Sequence, residues 1–297
     1  APTVAIIAAG AMGAAVARRL TDAGCTVLTS LAGRSEATRR RAIHAGMRDV
    51  PFKDLPRSAT MMLSILPPNA AESLAKSFLE AWRATGNSHP VPGPVYVDCN
   101  AVSPKTVKEI AGLFEGSGVR FVDAGIIGGP PHAGYDPTFY ASGDEEHRSA
   151  LDAFSNLKEY GLKVKSLTGE GTGVGDASAL KMSYAGITKG LTGLLTTMIL
   201  SANASSPATA TALMHELRTS QPMLLQRATR ALPDMLPKAY RWHGEMREIS
   251  DFVGGSLGDV HRGMAALYER IEQAVDEDNE DKRVLEQFVK DAREVLE

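Results

Sequence analysis

Val4-Ala5-Ile6-Ile7-Ala8-Ala9-Gly10-Ala11-Met12-Gly13 is the stretch on which the fold turns. An apolar run of strand length passes directly into a turn of small residues. Val16, Ala17 and Leu20 then recur at helical spacing until Gly24 ends the pattern. The spacing predicts a helix over 13–23 between strands at 4–7 and 26–30, which makes one βαβ unit. A turn between such a strand and helix is where a dinucleotide fingerprint lies. Gly10 and Gly13 match the second and third glycines of G-x-G-x-x-G, and Ala8 stands at the first. Alanine substitutes there only at negative φ. Gly10 lets backbone approach a pyrophosphate and Gly13 lets helix and strand pack closely. The amides along Ala9, Gly10, Ala11, Met12 and Gly13 then form the anion site.

The end of the second strand decides which dinucleotide is expected. A carboxylate there hydrogen-bonds a ribose hydroxyl, but the chain reads Ser30-Leu31-Ala32-Gly33-Arg34-Ser35. Gly33, Arg34 and Ser35, with Thr38 or Arg39 in support, offer charge and hydroxyl donors suited to a 2′-phosphate. NADP(H) is the expected cofactor, with Arg34 the principal contact. The run Arg39-Arg40-Arg41 reads mainly as a solvated helix face.

Further strands at 61–66, 95–98 and 120–124 alternate with helical stretches, the pattern of a doubly wound parallel sheet. Residues 1–167 are therefore expected to form an α/β Rossmann domain. Thr168-Gly169-Glu170-Gly171-Thr172-Gly173 reads as a linker, and β-type alternation stops beyond it. A long helix over about 176–202 follows, rich in Ala, Leu, Met and Gly. Its small residues Ala185, Gly186, Gly190 and Gly193 admit a close neighbour. Residues 168–297 are expected to be all-α, joined to the first domain by that helix and closing with a charged helix at 281–296.

Composition narrows the function classes. A hydrophobic share of 43% and a charged share of 23% disfavour disorder, and a net charge of -3 gives no basic field for nucleic acid. Cys25 and Cys99 sit in separate apolar runs, which excludes a disulfide scaffold and fits a reducing cytoplasm. No apolar run approaches membrane-span length and no basic leader precedes the first strand, so a cytoplasmic protein without membrane association is expected. No Cys/His pattern has zinc spacing and no P-loop is present, so no metal is expected.

The order of motifs resembles the β-hydroxyacid dehydrogenase superfamily, which includes 3-hydroxyisobutyrate and 6-phosphogluconate dehydrogenases and, more distantly, imine reductases. The resemblance rests on Ala9-Gly10-Ala11-Met12-Gly13, on Leu66-Pro67-Pro68, and on Val97-Asp98-Cys99-Asn100-Ala101-Val102-Ser103-Pro104. It implies that Leu66, Pro67 and Asn100 lie beside the cofactor, Asn100 near the nicotinamide. Asp123-Ala124-Gly125-Ile126-Ile127-Gly128-Gly129-Pro130 looks like the substrate-binding segment, with Ile127 at the family's serine and Gly128-Gly129 as its paired glycines. Gly175-Asp176-Ala177-Ser178-Ala179-Leu180-Lys181 resembles the turn that delivers the catalytic lysine, and Ala185 stands at the family's asparagine. A less characterised group is similar around Lys181-Met182-Ser183-Tyr184, Lys189-Gly190 and the stretch from Arg241 to Ile249, which holds His243, Glu245 and Glu248.

A hydroxy acid dehydrogenase removes a hydroxyl proton as hydride leaves carbon, and a desolvated lysine serves as that acid or base. Lys181 takes this role, and Tyr184, three residues on, offers a phenol donor. Ile127 and Ala185 remove two polar groups from the substrate side, where His243 is a further candidate. The site therefore suits a small hydroxy acid or carbonyl compound, or, with its more apolar lining, a ketone or imine. Three readings follow: an NADP(H)-dependent dehydrogenase, an imine reductase or reductive aminase, and a catalytically silent NADPH-binding module. A homodimer with the cleft shared between subunits is expected.

Overall fold

The computed structural model describes residues 1–7, 9–86 and 92–297; Ala8, the first fingerprint position, lies outside the described residues. Two compact units are present, Ala1–Met182 and Ser183–Glu297. In the first, strands and helices alternate: β1 (Thr3–Ile7), α1 (Ala11–Asp22), β2 (Thr26–Thr29), α2 (Glu36–His44), β3 (Arg48–Asp49), α3 (Leu55–Ser58), β4 (Met61–Ser64) and α4 (Pro68–Arg83). There follow β5 (Val95–Asp98), α5 (Pro104–Gly112), β6 (Arg120–Ile127), β7 (Thr138–Ser142), α6 (Arg148–Ser155) and β8 (Lys163–Ser166).

The eight strands form one sheet in the order β3-β2-β1-β4-β5-β6-β7-β8. Strand order reverses between β1 and β4, so the crevice beyond their C-terminal ends is the position where this topology binds ligands. Alternation along each strand feeds two cores. Val4 and Ile6 of β1, Leu63 of β4, Val97 of β5 and Val122 of β6 pack on one face. Ala5, Ile7, Met62, Tyr96 and Phe121 pack on the other, where Phe78, Trp82 and Phe114 add their rings. Both faces are covered, as the period of two on a doubly wound sheet requires.

Four strands go beyond the sequence reading: β3, β7 and β8 are additional to it and β6 is longer. β3 is two residues long, and β8 carries Lys163 and Lys165 outward, so neither shows an apolar run. β6 extends to Ile127 rather than ending near 124 because it pairs antiparallel with β7, Ala124 opposite Ala141 and Ile127 opposite Thr138. This is the one antiparallel pair in an otherwise parallel sheet.

α7 (Asp176–Ser205) begins in the first unit and continues into the second. The sequence reading divides the chain at 167/168, whereas the compact units divide between Met182 and Ser183. The first turn of α7 is tied to the sheet by Asp123 and Ser142, which explains the later division. The second unit is all helical: the rest of α7, then α8 (Pro207–Ser220), α9 (Pro222–Met235), α10 (Ala239–Val253), α11 (Gly255–Asp276) and α12 (Glu280–Leu296). The small residues of α7 are used as their size suggests. A Cβ at Gly186 would come within 3.2 Å of His261 on α11, and one at Gly193 within 2.5 Å of Met264.

Candidate active site

α1 starts at the fingerprint turn, and its cap residue Gly10 offers no side-chain hydrogen bond to the first-turn amides. No acidic residue stands in that turn, and a Cβ placed at Gly10 would enter open space. The helix therefore presents first-turn N–H groups without a side-chain cap, and its positive dipole end, to an open cradle, the arrangement that holds a phosphate anion. The residues present fit the pyrophosphate of a dinucleotide.

Beyond β2, Leu31 N–H donates to Asp49 (2.9 Å) and Arg34 N–H closes a turn on Leu31 carbonyl (3.1 Å), with Gly33 at φ +71°. Arg34 and Ser35 are exposed. Ser35 caps α2 by accepting from Thr38 N–H at 3.3 Å, and its hydroxyl lies 3.1 Å from Thr38 Oγ1. The sequence reading sets the following arginines aside as a solvated face, but one of them reaches the cradle. Arg41 donates through Nε to the Ala9 carbonyl at 2.8 Å and through its terminal nitrogen to Thr38. Only the folded register of α2 reveals this, because three adjacent arginines look alike in the sequence.

Asn100 braces the other side of the crevice. Its Oδ1 accepts from Leu66 N–H (2.6 Å) and its Nδ2 donates to Ser64 Oγ (2.8 Å), while its own N–H donates to Asp98 (2.9 Å). The side chain thus ties the exit of β4 to that of β5 and sets the course of Leu66 and Pro67. Asp98 and Asp123 are opposite one another on β5 and β6, both fully buried. Burial, together with the nearby Asp123, pushes the Asp98 carboxyl up to about 7, against the pull of the Asn100 N–H. Burial also raises Asp123, but its hydrogen bonds oppose the shift.

Those bonds make Asp123 the anchor of α7, a role its sequence position did not disclose. Its Oδ2 accepts from the N–H groups of Gly175 and Ser178, each at 3.0 Å, and Oδ1 accepts from Ser178 Oγ at 2.7 Å. Ser142 Oγ donates to Asp123 (3.3 Å) and accepts from Ala177 N–H (3.0 Å). Gly125 permits the close approach, since a Cβ there would lie 2.9 Å from the Ala177 carbonyl oxygen and 3.0 Å from Lys181 Cβ. Three residues after Ser178, Lys181 is half-buried and donates from Nζ to the Ile126 carbonyl at 2.6 Å. β6 therefore fixes both the start of α7 and the ammonium group, which it holds at Ile126, next in the chain to Ile127.

The remaining predicted residues lie in the second unit. Tyr184 is exposed and Ala185 buried on α7. His243 makes its contacts inside that unit, with Arg247 at 3.1 Å and Glu272 at 3.6 Å. Glu245 is buried and ion-paired with Lys189, whose ammonium lies 4.9 Å from the centre of the Trp242 ring. Among the described residues no helix is long and apolar enough to cross a membrane, and no group of three or more His, Cys, Asp or Glu is placed to hold a metal ion.

Comparison with known proteins agrees with this geometry. Residues 204–271 match a domain of unknown function (DUF1932). An uncharacterized 28.5 kDa protein of Methanothermus fervidus is 28% identical over 178 residues, which are 60% of this chain and 62% of that relative. The chain thus matches less than two thirds of that relative's length. A conserved protein of unknown function, described as structurally similar to 3-hydroxyacid dehydrogenases, is 28% identical with a TM-score of 0.65, over 92% of this chain and 97% of its own. The 3-hydroxyisobutyrate dehydrogenase of Mycobacterium tuberculosis shares the fold at 17% identity and a TM-score of 0.67, over 96% and 98%. The imine reductase of Myxococcus stipitatus in complex with NADP+ does so at 18% and 0.55, over 97% and 100%. Residues 3–168 match the NAD binding domain of 6-phosphogluconate dehydrogenase, more than half of the chain, and the protein belongs to that family.

Proposed function

We propose that this chain is an NADP(H)-dependent oxidoreductase of the β-hydroxyacid dehydrogenase type, with Lys181 as its acid/base. The observation that carries the reading is the Lys181 ammonium held on the Ile126 carbonyl at the exit of β6, in a domain whose first helix opens on an anion cradle. The first-turn amides of α1 would hold the pyrophosphate, and Arg34, with Ser35, the 2′-phosphate. Arg41 steadies the turn from behind through Ala9. When bound, NADPH supplies the hydride. Lys181 gives a proton to the carbonyl oxygen as charge develops there, and in the oxidative direction takes it from the hydroxyl.

Ile127, where the resemblance implies a serine, leaves the substrate side more apolar, which favours imine reduction as the second reading. A preformed iminium needs hydride more than a proton donor. An exposed seam on α7 supports a homodimer: Tyr184, Ile187, Leu194 and Met198 are exposed, with Leu191 half-buried between them. Their alternating spacing of three and four is that of a helix-pairing stripe.

NADP+ reduction by hydroxy acids and NADPH oxidation by ketones and ketone-amine mixtures test the reading in wild-type protein and in Lys181→Ala. Loss of about 100-fold or more in kcat with NADPH affinity preserved is expected. Turnover unchanged by the substitution would remove Lys181 from the chemistry.

A further inference from the structure

We propose that Tyr135 is a substrate-recognition residue, its hydroxyl donating a hydrogen bond to a substrate oxygen remote from the reacting carbon. The inference rests on the oxidoreductase reading above and adds to it the group that selects the substrate. β6 ends at Ile127 and β7 starts at Thr138, so residues 128–137 form the reversing loop directly beyond the Lys181 contact.

The loop is built around one aromatic pair. His132 and Tyr135 exchange both backbone hydrogen bonds at 3.0 Å, and their rings stack at 5.0 Å with 19° between planes. Arg19 of α1 holds the loop from below, donating to the His132 carbonyl at 3.1 Å and pairing with Asp136 at 2.7 Å. The Tyr135 hydroxyl thereby sits on the glycine pair. Gly129 N–H donates to it at 3.2 Å, and a Cβ at Gly128 would come within 2.2 Å of the oxygen. Gly128 is also at φ +129°, so both space and backbone conformation reserve the position for glycine.

A phenol has one proton to give and lone pairs to receive. Gly129 uses a lone pair, which leaves the proton for another acceptor, and the residue is 39% exposed. From Ile126, whose carbonyl holds Lys181, to Gly128 is two residues, roughly 7 Å along an extended chain. The ammonium and the phenol are thus held by the same strand end, Lys181 through Ile126 and Tyr135 through Gly128 and Gly129. Ile127 supplies no hydroxyl where the resemblance implies a serine, and Tyr135 returns one from across the loop. The substrate class is a small carbonyl or imine compound carrying a second oxygen acceptor, a carboxylate or a further carbonyl.

Steady-state NADPH oxidation by wild type and Tyr135→Phe, using acetoacetate, 2,4-pentanedione and 2-butanone, tests this. The phenylalanine keeps the ring stack and removes only the hydroxyl. KM for the probes with a second oxygen is expected to rise about tenfold with kcat within about twofold, while KM for 2-butanone stays unchanged. A KM unaltered for the oxygen-bearing probes, or altered equally for all three, overturns the inference and leaves the oxidoreductase reading standing. Absence of wild-type turnover with these three probes and with ketone-amine mixtures overturns both. A fall in kcat alone with every probe shows a merely structural hydroxyl and also overturns the inference.

Discussion

Asp123 and Ser178 are joined twice, the buried carboxylate accepting the serine hydroxyl at 2.7 Å and the serine N–H at 3.0 Å. A strand residue thus does for α7 what a cap residue does for an ordinary helix, while remaining entirely out of water. Asp123→Asn keeps the shape but turns an NH2 donor toward groups that are themselves donors. A loss of about 2–4 kcal/mol is expected, because the Gly175 and Ser178 donors stay buried without full partners. Urea denaturation followed by tryptophan fluorescence measures it. A midpoint equal to that of the parent would show that the anchor contributes nothing.

Asp98 gives the protein a pH dependence of unusual sign. Its folded carboxyl titrates at about 7, against roughly 4 in an unfolded chain. Between those values the folded state holds a proton that the unfolded state has released. The Asp98 contribution is therefore most favourable below about pH 4, declines as pH rises toward 7 and is constant above. Asn retains the acceptor for Asn100 N–H without the charge. Asp98→Asn should match the parent near pH 4 and exceed it by on the order of 3–4 kcal/mol at pH 8. Denaturation at the two pH values decides it, and an equal difference at both would show that Asp98 does not titrate in this window.

Arg34 discriminates between cofactors if its guanidinium meets the 2′-phosphate. Arg34→Ala is expected to weaken NADPH by roughly 10- to 100-fold, the range of a charge-assisted hydrogen bond, and NADH by less than about threefold. Arg41→Ala, which releases the Ala9 carbonyl, should weaken both alike. Calorimetric titration with each cofactor measures this, and equal losses for Arg34→Ala would deny the phosphate contact.

What could be read from the sequence was whatever obeyed a local rule. The βαβ unit over residues 4–30 announced itself through strand period, small-residue turn and helix period together, and α7 through its length and composition. β3 and β8 were hidden because short edge strands with charged residues carry no apolar run. Asp123 looked like one residue of a motif, since its partners Ser142, Gly175 and Ser178 come from separate parts of the chain. Tyr135 was hidden for the same reason: its meaning depends on the loop folding its hydroxyl back onto Gly129.

The stretch from Arg241 to Ile249 finds its physical role in the helical unit, through Lys189 and Glu245. Burial drives the Lys189 pKa down while the Glu245 carboxylate holds it up, and Trp242 lies against the ammonium. Removing one member takes from the other buried charge its ion-pair partner, so Lys189→Met and Glu245→Leu should each destabilise by about 3–5 kcal/mol. The double substitution should recover most of that loss, because two apolar side chains need no desolvation of charge. In Glu245→Leu the lysine's folded pKa is depressed further, so stability lost at neutral pH should return as pH rises toward the unfolded lysine value of roughly 10. A double-mutant cycle by urea denaturation at pH 7 and pH 9.5 measures both effects. Additive losses in the double variant, with no gain at the higher pH, would mean that the two side chains stabilise the unit independently through their packing.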